Sequence, residues 1–270
     1  MHLRYIVVEL HGRVRIEPWG VEDAELLAGI SKRAFDTDIE VGAPSPGGPP
    51  GYDDPEFHVR IMRYLECYKT LLDDSIVGGI IADLRGEEHS VLERIFVEPE
   101  LHRRGIGARA FELLWELYPG VRLWTLGTPE WNNRTKRFYE KMGFVQVGWD
   151  LGDPGWRGRW YEKVMDPSRP YAMARLGELR DGMRSVTVEG VVVERSIPRA
   201  VRSRSSGETL TVANATLQDD AGRVVLVLWN DQIRQAKVGD RVRVENGYVN
   251  SYLGVTQLNI GRGGRLITLI

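Results

Sequence analysis

The chain has 270 residues, enough for two domains, with 42% hydrophobic and 27% charged residues, values ordinary for a globular protein. A single cysteine, Cys67, excludes an intramolecular disulfide framework and a Cys-based metal site; with no run of about 18 apolar residues and no signal-peptide pattern, a soluble cytoplasmic protein that uses neither membrane nor metal is expected. Residues 171–270 hold 14 Lys and Arg against 10 Asp and Glu, a net of +4, so the first 170 residues carry −6 within the total of −2, and only the later half has a charge that draws a polyanion.

In chain order, the patterns predict a strand near Val14–Glu17 and a helix from Val21 to about Phe35, where Ala24, Leu27, Ala28 and Ala34 share one face. The stretch Gly42-Ala43-Pro44-Ser45-Pro46-Gly47-Gly48-Pro49-Pro50-Gly51 reads as a surface loop or as a mobile flap over a substrate site. A second helix is expected over Pro55–Leu65, then strands near Tyr68–Leu72, Ile76–Leu84 and Ser90–Val97. A helix (Gly105–Leu117), a strand (Val121–Leu126), a helix (Asn132–Lys141) and strands near Val145–Trp149 and Arg159–Val164 follow. This order suggests an α/β or α+β mixed sheet with flanking helices. Two prolines within Asp166-Pro167-Ser168-Arg169-Pro170 mark a junction, so the domains are set at 1–168 and 174–270. Beyond it, five strand-like pieces lie near Val186–Glu194, Glu208–Gln218, Arg223–Trp229, Arg241–Val249 and Gly254–Gly261. With turn signals at Asp220-Ala221-Gly222 and Val238-Gly239-Asp240, they suit an all-β five-stranded closed barrel of the OB type.

Chemistry concentrates where the strand ending at Val97-Glu98-Pro99 leads through Glu100-Leu101-His102-Arg103-Arg104 into Gly105-Ile106-Gly107-Ala108. Glycines at 105 and 107 let the backbone approach a ligand, and the helix start offers free N–H groups to an anion such as a pyrophosphate. Arg103 and Arg104 add positive charge. The segment resembles the cofactor-binding core of the GNAT N-acetyltransferases, with His102 where that pattern carries Arg or Gln. A second segment, Asn132-Asn133-Arg134-Thr135-Lys136-Arg137-Phe138-Tyr139-Glu140-Lys141-Met142-Gly143-Phe144, resembles the downstream element of the same superfamily, with Thr135 in place of Ala. The resemblance extends over about residues 12–166.

The resemblance implies an acetyl-coenzyme A-dependent transferase acting on an amine. Ile95, Phe96 and Val97 would bind the pantetheine arm through a bulge around Phe96-Val97, and residues His102 to Ala108 would cradle the pyrophosphate. Asn132 would touch the cofactor arm, besides serving as a plausible helix N-cap. Tyr139 would be the general acid for the departing sulfur, and the Val97 N–H the oxyanion donor. Glu93, placed with Ile95 by strand alternation, is the candidate general base; the alternative is a surface or ion-paired Glu. The aromatic stretch Trp149 to Tyr161, with Asp150 and Asp153, is a candidate acceptor slot or ordinary sheet packing.

From Leu179-Arg180-Asp181-Gly182-Met183 to Gln257-Leu258 the chain resembles the OB-fold of archaeal single-stranded DNA-binding proteins and their replication protein A relatives. That resemblance puts Trp229, Tyr248 and Tyr252 at base-stacking positions. Arg195, Arg199, Arg202 and Arg204 fall in an expected loop whose arginines would contact phosphates. Single-stranded DNA or RNA, or a protein, is the expected partner. Three readings stay open: an acetyltransferase acting on a protein or nucleic-acid-associated acceptor, a single-strand-binding protein that senses acetyl-coenzyme A, and a small-molecule acetyltransferase whose OB half docks protein.

Overall fold

The computed structural model describes residues 13–84, 88–152, 157–202 and 207–270, leaving aside the side chain of Arg262. They gather into two compact units. One holds residues 13–126, 131–143 and 164–166; the other holds residues 127–130, 144–163 and 167–270.

In the first unit the elements are β1 (Val14–Pro18), α1 (Ala24–Asp36), α2 (Pro55–Ile61), β2 (Glu66–Leu72), β3 (Ser75–Asp83), β4 (His89–Val97), α3 (Ile106–Leu117), β5 (Leu123–Pro129, of which the first four residues belong here) and α4 (Asn133–Lys141). The strands pair in the order β1-β2-β3-β4-β5, antiparallel except for the parallel β4–β5 pair, which α3 connects. Helix α1 buries Leu27, Ala28, Ile30, Ser31 and Ala34, the three-and-four spacing read in the sequence. Helix α2 starts at Pro55 because Asp54 accepts from the Glu56 N–H. It ends four residues earlier than expected, since the Tyr64 and Leu65 N–H groups both turn back to the Ile61 carbonyl before β2 begins. One face of the sheet packs Trp19, Leu27, Ile30, Ala34, Cys67, Ile81 and Phe96. A separate cluster joins Val14, Val77 and Val97 to Ile106 of α3. Cys67 is thus a small core residue, its thiol pushed up to about 12 by burial.

The second unit contains β6 (Val145–Asp150), β7 (Gly158–Val164, all but its last residue), β8 (Val186–Arg195), β9 (Arg199–Arg202), β10 (Thr209–Gln218), β11 (Arg223–Trp229), α5 (Gln232–Gln235), β12 (Arg241–Tyr252) and β13 (Val255–Leu269). Pairings β8–β10, β10–β11, β11–β13, β13–β12 and β12–β8 return to their start, so these five strands close a barrel. Val188, Val192, Ala215, Leu217, Leu226, Leu228, Val242, Val244 and Leu258 fill it. The last strand runs eight residues past its expected end, because Ile267, Thr268 and Leu269 add β6 (Asp150, Trp149 and Gly148) as a neighbour. Buried Arg243 bonds Glu162 of β7 and Glu189 of β8, while Trp160 Nε1 donates to the buried Glu245 carboxylate at 2.9 Å. The arginine segment expected as a loop is in part a strand: β9 pairs with β10, and Arg195 donates to the Ile233 and Ala236 carbonyls next to α5. Arg204, Asp153 and Trp156 lie outside the described residues. Among the described residues, no helix is long and apolar enough to cross a membrane, and no cluster of three His, Cys, Asp or Glu is placed to hold a metal.

Candidate active site and nucleic-acid interface

Strand β4 is the backbone of the first candidate site. Its ladder with β5 runs from His89 to Leu92, opposite Leu123 to Leu126, while β4 itself continues to Val97. On the β3 side, Arg94 faces Ile81 and Leu92 faces the next residue, Ala82, so Glu93 is the extra residue of a β-bulge. The bulge therefore lies three residues ahead of the position expected at Phe96-Val97. It also breaks the alternation used to place Glu93: Leu92 and Arg94, two apart, stand opposite adjacent residues and so point to opposite faces. Glu93 is half-buried at this kink. Ile95 reaches toward α3, where a Cβ on Gly107 would lie 3.9 Å from its Cδ1. Phe96 turns to the α1 face, where Gly79 leaves room for its ring; a Cβ on Gly79 would come within 2.6 Å of it.

The turn after β4 is tied to its end. His102 Nε2–H donates to the Val97 carbonyl at 2.9 Å, which makes His102 half-buried rather than a free loop residue, and burial pulls its pKa below 6.5. Arg103 and Gly105 adopt φ of +62° and +80°, the left-handed region, and Gly105 is the N-cap of α3. No side chain caps that helix, so its first-turn N–H groups at Ile106, Gly107 and Ala108 point outward beside the exposed Arg103 and Arg104. An anion of pyrophosphate size suits this arrangement.

Helix α4 carries the other candidates. Asn132 Oδ1 accepts from the Thr135 N–H at 3.1 Å, and the residue is 1% exposed, so its evident work is capping. Tyr139 is buried against Phe111 and Phe138, and burial drives its phenol pKa well up, with the charge of Asp38 adding to the shift. At neutral pH the hydroxyl keeps its proton. Asp38 is a residue the sequence did not single out. It is buried, accepts from Arg134 Nη2 at 2.5 Å, and has its pKa raised by desolvation against the opposing pull of Arg134. Arg134 also donates to Thr37, so the segment after α1 is pinned to α4. The signal was there in part, as Arg134 lies inside the Asn132–Phe144 element, but its partner is 96 residues away.

In the barrel, strand register decides which side chains share a face. Val227 stands beside Asn259 and Asn259 beside Tyr248, so these three face outward, opposite to core residues Leu226, Leu258 and Val249. Trp229 is two residues beyond Val227, and Tyr252 four beyond Tyr248, so both belong to the same face. Trp229 and Tyr252 are 38% and 61% exposed. The Tyr248 ring lies by Gly261, where an added Cβ would be 3.3 Å from it. Arg199 pairs with Val212 and Val212 with Trp229, which puts Arg199 on this face as well. Arg202 falls on the opposite parity, and its guanidinium donates to the Gly207 carbonyl. Of the acceptor-slot residues, Trp149 is covered by Arg157 at 3.8 Å and Tyr161 is fully buried.

Comparison with known proteins matches two stretches of the chain separately. The acetyltransferase (GNAT) family model matches residues 40–144, and the model for the single-stranded DNA binding protein Ssb-like OB fold matches residues 182–268. The chain is 33% identical over 87 residues to the single-stranded DNA binding protein Ssb of Saccharolobus solfataricus, covering 32% of this chain and 57% of that protein. It is 35% identical over 79 residues to the uncharacterized protein YrkN of Bacillus subtilis, covering 28% of this chain and 43% of that protein. The chain thus spans about half the length of the curated relatives it matches. A solved acetyltransferase from Thermus thermophilus aligns with 56% of this chain and 97% of its own, at 21% identity and a TM-score of 0.47. The chain carries a domain of the acetyltransferase (GNAT) family at residues 40–144 and an Ssb-like OB fold at residues 182–268.

Proposed function

We propose that residues 1–168 form an N-acetyltransferase domain that moves the acetyl group of acetyl-coenzyme A to an amine of a protein or nucleic-acid-associated acceptor, and that residues 174–270 bind single-stranded nucleic acid. The observation that carries the first part is the bulged β4, unpaired with β5 beyond Leu92, running into the uncapped start of α3. The residues present suit acetyl-coenzyme A, which supplies an activated thioester when bound. N–H groups of Ile106, Gly107 and Ala108, with Arg103 and Arg104, would hold its pyrophosphate. Backbone groups of Ile95, Phe96 and Val97 would pair with the pantetheine arm as an added strand, and the Val97 N–H would face the carbonyl oxygen. The acceptor nitrogen forms a bond to the carbonyl carbon as the carbon–sulfur bond breaks. Sulfur leaves with the electron pair and takes the Tyr139 phenolic proton. Glu93, at the kink, takes the proton the amine loses, directly or through water. Asp38 and Arg134 hold the segment after α1 against α4 and so fix Tyr139.

The test is coenzyme A release by the full chain and by its Tyr139→Phe variant across peptides, polyamines, tRNA and nucleic-acid-binding proteins. Unchanged turnover in the variant removes Tyr139 from the mechanism, and absence of acetyl-coenzyme A binding removes the proposal. The second part rests on Trp229, Tyr248, Tyr252 and Arg199 sharing one barrel face. Gel shift with single-stranded oligonucleotides tests it; equal binding by the triple alanine variant of the aromatics refutes stacking.

A further inference from the structure

Among the described residues, Arg94 is a half-buried cation with no carboxylate bonded to it. It follows the bulge on β4 and points to the face of Ile81 and Cys67. Its guanidinium lies over the Phe57 ring at 4.7 Å, and Nη2 donates to the Pro50 carbonyl at 2.6 Å. Nη1 is buried and meets no acceptor among the described residues. Desolvation lowers the pKa of this group to about 10, against the opposing charge of Glu93. A guanidinium keeps its charge at such a value, so the unfilled donor carries a cost that a carboxylate partner would remove.

A second unfilled atom stands in the same aromatic nest. His58 is fully buried, with its ring 5.7 Å from Trp19 and 6.3 Å from Phe96. Its Nδ1–H donates to the Asp54 carbonyl at 2.9 Å, which leaves Nε2 as an acceptor, and that atom has no partner among the described residues. Burial, reinforced by Arg94, keeps the ring neutral. The loop that reaches Arg94 at Pro50 begins at Gly42, which lies against Trp131 just ahead of α4. The low-complexity segment therefore passes from the start of α4 to the bulged part of β4, the two sides of the proposed transfer site.

We infer that Arg94 Nη1 recognises a carboxylate carried by the acceptor close to its reacting amine, with His58 Nε2 beside it able to take an N–H of the same molecule. This rests on the acetyl-transfer reading given above and names its substrate class. Two sources share that chemistry: a free amino acid, and an acidic side chain next to the amine of a peptide. Arg94 is a specificity residue here, and the Pro50 carbonyl holds its Nη2 edge while Nη1 keeps an unfilled donor.

The test is calorimetric titration of the full chain, with coenzyme A present, by matched pairs: lysine against cadaverine, and an N-terminal Glu peptide against its Gln counterpart. Coenzyme A release with the same pairs is followed in parallel. The expected result is at least about tenfold tighter binding of the carboxylate-bearing member in one pair, which tells the two sources apart. In Arg94→Gln the preference disappears while the KM for acetyl-coenzyme A stays the same, and Arg94→Lys restores part of it. Equal affinity within both pairs, binding in neither, or a preference that survives in Arg94→Gln overturns the inference. Loss of coenzyme A binding by the parent chain refutes the transferase reading instead, and titration without coenzyme A then judges Arg94 alone.

Discussion

The two matched domains keep their chemistry in opposite places. In the GNAT-type domain the polar groups of interest are inside: Asp38, Asn132 and His58 are nearly or fully buried, Tyr139 is packed among rings, and an Arg94 nitrogen is buried without a partner among the described residues. In the OB fold the candidate groups stand on the outside of a closed barrel, with Trp229, Tyr252 and Arg199 exposed and the apolar core untouched behind them. Buried groups have shifted proton affinities and unforgiving partners, so changing them alters stability and chemistry together. Exposed aromatics on a sheet have neither, so changing them should alter binding alone.

That contrast can be broken by experiment. The largest effect is expected for Tyr139→Phe, which should lower kcat by about 10²–10⁴-fold at unchanged oligonucleotide affinity; a fall in both would mean that burial, not the hydroxyl, matters. Next is Arg243→Ala in the second unit. It strands the buried Glu245 beside Trp160 and should cost about 3–5 kcal/mol in denaturant unfolding, because an uncompensated buried charge remains. A loss near zero would show water filling the gap. Smaller are the single changes Trp229→Ala, Tyr248→Ala and Tyr252→Ala, each about 1–3 kcal/mol in single-strand affinity with melting and turnover unchanged. Arg199→Ala should reduce the salt dependence of binding by about one phosphate contact, while Arg202→Ala, on the other parity, should leave it alone.

The smallest effect concerns pH. Burial pulls His58 and His102 below their ordinary value of 6.5. As pH falls below 6.5 the unfolded chain therefore binds protons that the folded chain refuses. Stability should be full above 6.5 and fall as pH drops below it. Urea midpoints at fixed pH check the sign, and His58→Gln should flatten the slope; a midpoint that rises on acidification contradicts it.

The sequence by itself determined most of what is local. Helical spacing in Ala24–Ala34, the cap at Asn132, the glycines at 105 and 107, and the alternation around Val186–Val188 all act within a few residues, so the chain order of elements and both family resemblances were legible. What only the tertiary structure decided involves a second strand or a distant partner. A bulge exists only relative to β3, which is why its place at Glu93 and the opposite facing of Leu92 and Arg94 were not readable from β4 alone. The Asp38–Arg134 pair, the empty side of Arg94, the pairing of β9 with β10 and the run of β13 alongside β6 depend on residues brought together from far along the chain. Burial and register are properties of pairs of elements, and one segment does not contain them.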